Sequence, residues 1–138
     1  MLSPQCQALR EVATPALVVD AAAVTENVRR MAAVATAAGV ALRPHAKTHK
    51  TAEIAQLQRS AGAVGVSCAT VTEAEALSAA GIDNLLITSP TFGADKFARV
   101  AKLNREHGAM IVVDKSTTDD DGNLIGYVVF ADTTYGNA

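Results

Sequence analysis

The sequence predicts an α/β fold built on a parallel sheet. Two observations predict it. Short apolar runs alternate with segments of helical spacing along the first 114 residues. A glycine follows each of these helical segments, at Gly39, Gly62, Gly81 and Gly108. Strand–helix alternation of this kind builds right-handed βαβ units and a parallel sheet. A TIM-type barrel and an open doubly wound sheet both begin this way.

Each element has a local reason. Ser3-Pro4 reads as an N-cap with proline at the first helical position, opening a short helix to about Val12 that Thr14-Pro15 breaks. Ala16-Leu17-Val18-Val19 reads as a short buried strand. Asp20 caps the next helix, 21–38, in which Val24, Val28, Met31 and Val34 or Ala35 recur at helical spacing. Val40 to Arg43 is the next strand. The helix 51–61 carries Ile54 and Leu57 on one face. Residues 63–69 are apolar on both parities, which predicts a strand buried on both faces. Thr70 or Thr72 caps the following helix, and Thr72 with Glu75 has capping-box spacing. Residues 84–88 are a strand, 93–107 a helix bearing Phe97, Val100, Ala101 and Leu103, and 109–113 a strand. Beyond Asp114 the texture changes. Residues 115–123 are polar and end in the turn Asp119-Asp120-Asp121-Gly122-Asn123, and 124–131 read as a strand. No glutamate follows that acidic turn, so the spacing of a calcium loop is not met.

A chain of 138 residues is one domain in length, with 49% hydrophobic and 19% charged residues. Its net charge of −2 carries no footprint for nucleic acid or an anionic membrane. Aromatic residues are 4% with no Trp, so base-stacking platforms are lacking as well. No apolar run reaches the roughly 18 residues of a membrane span. No basic-then-apolar leader opens the chain, and Cys6 and Cys68 have no metal spacing. The expected location is the cytoplasm.

The chemistry concentrates in Arg43-Pro44-His45-Ala46-Lys47-Thr48-His49-Lys50, at the end of an apolar run. In α/β folds the C-terminal ends of parallel strands are where reactions occur. A lysine becomes nucleophilic toward an aldehyde when burial or neighbouring cations favour its neutral form. Lys47 has such cations in sequence, and partial burial at the strand end would add to them. It then suits a Schiff base with a carbonyl cofactor, pyridoxal phosphate above all. A basic, solvated strand-to-helix loop is the competing reading. His45 and His49 are four apart without the zinc-protease motif, so ligand or base roles compete with plain loop positions. No dinucleotide or P-loop glycine fingerprint follows any strand.

Four stretches together carry a resemblance: Thr14 to Asp20, Arg43 to Lys50, Gly65 to Leu77, and Ala80-Gly81-Ile82-Asp83. From Thr14 to Asp114 the chain resembles the N-terminal portion of the D-threonine aldolase and D-serine dehydratase family, pyridoxal-phosphate enzymes related to alanine racemase. The run Pro44-His45-Ala46-Lys47-Thr48-His49-Lys50 is its most specific part. The resemblance implies a partial (β/α) TIM-type barrel of parallel strands over residues 1–114, with 115–138 a polar turn and strand tail unlike the family. It implies that Lys47 is the Schiff-base lysine. It puts His45 and Arg43 beside Lys47 at the barrel mouth, with Ala69 and Thr70 and then Thr88 and Ser89 lining the same mouth. The implied reaction is aldol cleavage or dehydration of a D-3-hydroxy amino acid. In the family, strand 16–19 belongs to a separate β domain, which leaves barrel strands at 40–43, 63–69, 84–88 and 109–113. The family's divalent-metal pair has no counterpart in this chain. A closed barrel needs eight strands and about 250 residues, so the open strand edges here invite a second copy. The alternative is a truncated, inactive fragment or small binding module that keeps only part of the cofactor site.

Overall fold

The computed structural model describes residues 9–112. Four helices, α1 (Ala21–Ala37), α2 (Ala52–Ser60), α3 (Val71–Ala79) and α4 (Ala94–His107), and three strands, β1 (Val66–Cys68), β2 (Leu85–Ile87) and β3 (Met110–Ile111), alternate from α2 onward. The strands form one parallel sheet in the order β1-β2-β3. Val66 pairs with Leu85, Cys68 with Ile87, and Ile87 with Ile111. Sequential order with right-handed crossovers sets α3 and α4 on the same face of the sheet. The α/β class and the parallel sheet are as expected. The expected helix at 3–12 falls mostly outside the described residues, as do the turn at 119–123 and the strand at 124–131.

Local chemistry explains the helices. Asp20 Oδ1 accepts from Ala23 N at 2.9 Å and starts α1. Gly39, Gly62, Gly81 and Gly108 all have positive φ where the helices end. Thr70, not Thr72, is the N-cap of α3: its Oγ1 accepts from Glu73 N at 3.2 Å. Glu75 instead receives Arg99 of α4 through Nε at 2.7 Å and through Nη2, a forked pair between neighbouring helices.

The core lies between the sheet and its helices. Val66, Cys68, Leu85 and Ile87 have no exposed surface, and Val71, Ala74, Leu77, Val100 and Leu103 pack in the same cluster. Alternation along a strand sends Ser67, Leu86 and Met110 to the other face. Ser67 is buried there, whereas Leu86 and Met110 are half-buried. Burial on both faces therefore holds for β1 but not for β2 or β3.

Three expectations are corrected. The run Ala16-Leu17-Val18-Val19 is not a buried strand. It has no ladder partner among the described residues, and Leu17 is 100% exposed. The run Val40–Arg43 is not a strand either. Pairing to β1 comes later, at the bridge His45↔Ser67, through Ser67 N to Pro44 O and Ala46 N to Ser67 O, each 2.7 Å. Pro44 has no N–H, so this ladder lacks a rung. On α1, Ala35 is buried and Val24 and Val28 are half-buried, while Met31 and Val34 are exposed. No described helix is long and apolar enough to cross a membrane.

Candidate functional site

The pairing to β1 ends at Ala46, and a single turn follows. Ala46 O accepts from His49 N at 3.2 Å and from Lys50 N at 2.7 Å. The turn closes with Lys50 in the left-handed region, at φ 51°. Ala46 is buried in the core and anchors the turn, while Lys47 and Thr48 are exposed. The turn is also tied at its far end, where Lys50 Nζ lies 2.9 Å from Glu73 Oε1. Glu73 Oε2 accepts from Ala69 N at 2.7 Å. The lysine and these backbone donors hold the Glu73 carboxyl below its ordinary range.

His45 sits at the centre of the site. Its Nδ1 accepts from Lys47 N at 3.1 Å, and its Nε2 lies 3.0 Å from Thr88 Oγ1. Thr88 Oγ1 in turn donates to Cys68 O at 3.1 Å. Because Thr88 spends its only proton on the carbonyl, its oxygen must accept from His45. Nε2 therefore carries the proton and Nδ1 is the acceptor, a tautomer assigned from the partners at both ends. Burial first, and the Lys47 charge second, push the imidazole below its ordinary value, with Glu73 opposing them. His45 is thus neutral at neutral pH.

The other predicted residues are placed elsewhere. Arg43 is not beside Lys47. Its Nη1 donates to the backbone oxygen of Asn84, at the N-terminal end of β2. It reaches that oxygen over Gly65, where a Cβ would overlap both the guanidinium and the Asn84 carbonyl. The side chain follows the gap left by the glycine, away from the strand C-termini. The Thr70 hydroxyl is occupied as the α3 cap. Ser89 N donates to Ala69 O at 3.3 Å, which ties the two strand ends together. Lys47 is exposed rather than partly buried. Its ammonium has no ion pair or hydrogen bond among the described residues.

Sequence reasoning missed Glu73. The signal was present, since Thr70 and Glu73 have the same capping-box spacing as Thr72 and Glu75. The His49 ring is tied to the start of α2: its Nδ1 accepts from Thr51 N at 3.2 Å, and its buried Nε2 has no partner among the described residues. The Cys68 thiol is buried, which pushes it up to about 12 and leaves it inert. Among the described residues no group of three or more His, Cys, Asp or Glu side chains could hold a metal ion. One cavity of about 330 Å3 is lined by Val28, Met31, Leu42 and Ala61, a second of about 250 Å3 lies behind the turn against Ala46, Lys50, Glu73 and Leu77, and an open one of about 570 Å3 lies along α2 at Gln56, Leu57 and Ala80.

Known proteins share this arrangement of sequence and fold. The chain is 43% identical over 108 residues to a D-threonine aldolase of Arthrobacter sp., covering 78% of this chain and 28% of that protein. It is 39% identical over 115 residues to a 3-hydroxy-D-aspartate aldolase of Paracoccus denitrificans, covering 83% of this chain and 29% of that one. Its structure matches the crystal structure of D-threonine aldolase from Filomicrobium marinum with a TM-score of 0.74 at 43% identity, over 77% of this chain and 29% of that one. The chain thus spans under a third of the length of these relatives. The profile of the alanine racemase N-terminal domain matches residues 19–117, well over half of the sequence, and the chain belongs to that family.

Proposed function

We propose that this chain carries the cofactor lysine of a pyridoxal-phosphate-dependent lyase that acts on a D-3-hydroxy amino acid, with Lys47 as that lysine. The observation that carries the reading is the state of Lys47. Its amine is exposed and unpartnered among the described residues, just past the His45 bridge, and its backbone N–H donates to His45 Nδ1. Kinship with aldolases of D-threonine and 3-hydroxy-D-aspartate supports the substrate class. The residues present fit the cofactor in part. Lys47 offers the amine that would hold it, and His45 and Thr88 offer a neutral, hydrogen-bonded wall beside that amine. At the start of α3, Ala69 N and Glu73 N are already taken by Glu73 Oε2 and Thr70 Oγ1, so these donors are not offered to a phosphate. Arg43 and Thr70 are engaged elsewhere and are left out of the proposed site.

When bound, pyridoxal phosphate supplies an electron sink for the pair left at the substrate's α-carbon. This chain's residues do the rest of what they can from fixed places. Lys47 would hold the cofactor through Nζ, and the same amine could take up or return a proton. His45 has its Nδ1 lone pair on Lys47 N–H and its Nε2 proton on Thr88, so it orients and does not serve as the base.

The sheet is further read as the first part of a (β/α) barrel, with residues 1–114 in the barrel portion and 115–138 a separate tail. Its half-covered face, with Leu86 and Met110 only half-buried, supports that reading. The same observation favours a second outcome, that this portion holds the lysine but turns over no substrate by itself. A second copy across the open edges, and a cytoplasmic location, remain part of the proposal.

Borohydride reduction of the protein mixed with pyridoxal phosphate, followed by peptide mass spectrometry, tests the reading. A single adduct on Lys47, lost in Lys47→Ala, is expected. Labelling scattered over Lys50, Lys96 and Lys102, with Lys47 not preferred, would overturn it. Assay with D-threonine and 3-hydroxy-D-aspartate, with and without a divalent metal, separates an active lyase from the fragment outcome.

A further inference from the structure

The His45 bridge and the ends of β1 and β2 are joined by one directed line of hydrogen bonds. It runs from Lys47 N–H to His45 Nδ1, from His45 Nε2–H to Thr88 Oγ1, and from Thr88 O–H to Cys68 O. We infer that His45 and Thr88 are positioning residues for Lys47, setting the direction of its backbone, and hence of its amine, through a single imidazole tautomer. That the positioned amine meets a cofactor rests on the function proposed above; the line itself does not.

The direction of the line follows from which atoms can donate. Cys68 O can only accept, so Thr88 must give it the hydroxyl proton. The backbone N–H of Lys47 can only donate, so Nδ1 must be bare. Both ends therefore demand the same tautomer. The opposite tautomer would set an Nδ1 proton against the Lys47 N–H. It would also ask Thr88 to turn its proton away from Cys68. Protonation of the ring causes the first of these conflicts alone. The charged groups felt at the ring are Lys47, which disfavours the imidazolium, and Glu73, which favours it.

The line also answers a need of the turn. The first N–H groups of a helical turn have no partner within it, and Lys47 N is such a group. Its neighbours are fixed on both sides, by buried Ala46 before it and by the Lys50–Glu73 pair after it. With those ends held, the contact to His45 decides how the peptide between Ala46 and Lys47 is turned. Thr88, from a strand end two βα units away in sequence, fixes the ring that makes the contact. An amine displaced by about 1 Å can lose on the order of a hundredfold in rate, so a residue that never touches the reacting atoms still matters here.

The test uses the full chain with three variants: Thr88→Val, which keeps the shape and removes the hydroxyl, Thr88→Ser, which restores it, and His45→Asn, which offers Lys47 an acceptor without reaching Thr88. Ring-nitrogen NMR reads the His45 tautomer, amide exchange reads the Lys47 N–H, and borohydride trapping with pyridoxal phosphate reads the amine against Lys96 and Lys102. The wild type and Thr88→Ser are expected to show Nε2–H with a bare Nδ1 and a protected Lys47 amide. Thr88→Val should mix the tautomers, unprotect that amide, and slow Lys47 trapping by about tenfold or more with Lys96 and Lys102 unchanged. His45→Asn should keep part of the amide protection. An Nδ1–H ring in the wild type, or a Lys47 amide equally protected in Thr88→Val, overturns the inference. If Lys47 is never trapped in the wild type while the tautomer and amide results hold, the positioning stands and the cofactor reading falls. If Lys47 is trapped equally fast in Thr88→Val, the cofactor reading stands and the positioning falls. Unfolding midpoints of Thr88→Val and Thr88→Ser identify any loss due to misfolding, and the wild-type tautomer together with the Lys47 amide in His45→Asn then carries the decision.

Discussion

The Glu73 carboxylate faces two ways: Oε1 lies 2.9 Å from Lys50 Nζ and Oε2 accepts from Ala69 N. One side chain thereby joins the end of β1, the start of α3 and the turn that carries Lys47. The Glu73 side chain is 22% exposed against 66% for Lys50, so the pair is only partly screened. Glu73→Gln removes the charge while keeping the shape. It should cost about 1 kcal/mol at neutral pH, the size of a lost cap contact. The sign with pH follows from the direction of the shift. A carboxyl held below its ordinary value contributes stability that is fully present above its unfolded pKa and is lost as the pH falls through the folded one. Urea midpoints of wild type and Glu73→Gln should differ at pH 7 and draw together as the pH falls below the ordinary carboxylate range. A constant difference across that range would remove the carboxylate from the explanation.

Gly65 is required by space rather than by its φ. A Cβ at this position meets the Arg43 guanidinium and the Asn84 carbonyl together. Gly65→Ala should therefore cost about 1–3 kcal/mol, as overpacking does. Arg43→Ala in the same chain should recover only part of this, because the Asn84 carbonyl is backbone and cannot swing away. Chemical unfolding of the two single variants and the double variant measures the coupling. Complete recovery would mean that the carbonyl moves more readily than the sheet register allows.

What the sequence disclosed follows the range of each interaction. Asp20 and the glycine stops act within one helical turn, so α1 and the ends of α2, α3 and α4 could be read directly. Lys47 was singled out by the resemblance of its motif, and His45 and Thr88 were grouped with it by strand-end position in a parallel sheet. Arg43 was not. Its place depends on the absence of a side chain at Gly65 and on a carbonyl 41 residues away. Two overlapping capping boxes, Thr70 with Glu73 and Thr72 with Glu75, were equal on paper, and the end of β1 at Cys68 decided between them. The run 16–19 has the composition of a strand, but strand preference is a preference for a packed, paired surface. Among the described residues nothing pairs with it.

Leu85 and Leu17 test that difference directly. Leu85 has no exposed surface and lies in the core cluster, whereas Leu17 is fully exposed. Leu85→Ala should cost about 2–5 kcal/mol through lost burial and the cavity left behind. Leu17→Ala should fall within about 0.5 kcal/mol of wild type in a dilute monomer. Denaturant midpoints decide. A large loss from Leu17→Ala would show that the run 16–19 is covered in solution, by a second copy or by another part of the protein, and its concentration dependence would separate the two.

The His45 ring should leave a signature in the acid limb of the stability curve. Its folded pKa lies below the ordinary value because burial and Lys47 outweigh Glu73. The unfolded ring takes up its proton near pH 6.5. Stability is then fully present above that pH and falls as the pH drops through it toward the lowered folded value. One proton bounds the slope at about 1.4 kcal/mol per pH unit. His45→Asn cannot titrate, and it keeps an acceptor for Lys47 N–H. Between pH 7.5 and 5.5 its stability should therefore decline less steeply than that of the wild type, the difference between the two curves being the ring's own contribution. Parallel curves would mean that the ring binds its proton equally well folded and unfolded, and that Lys47 N–H does not depend on a bare Nδ1.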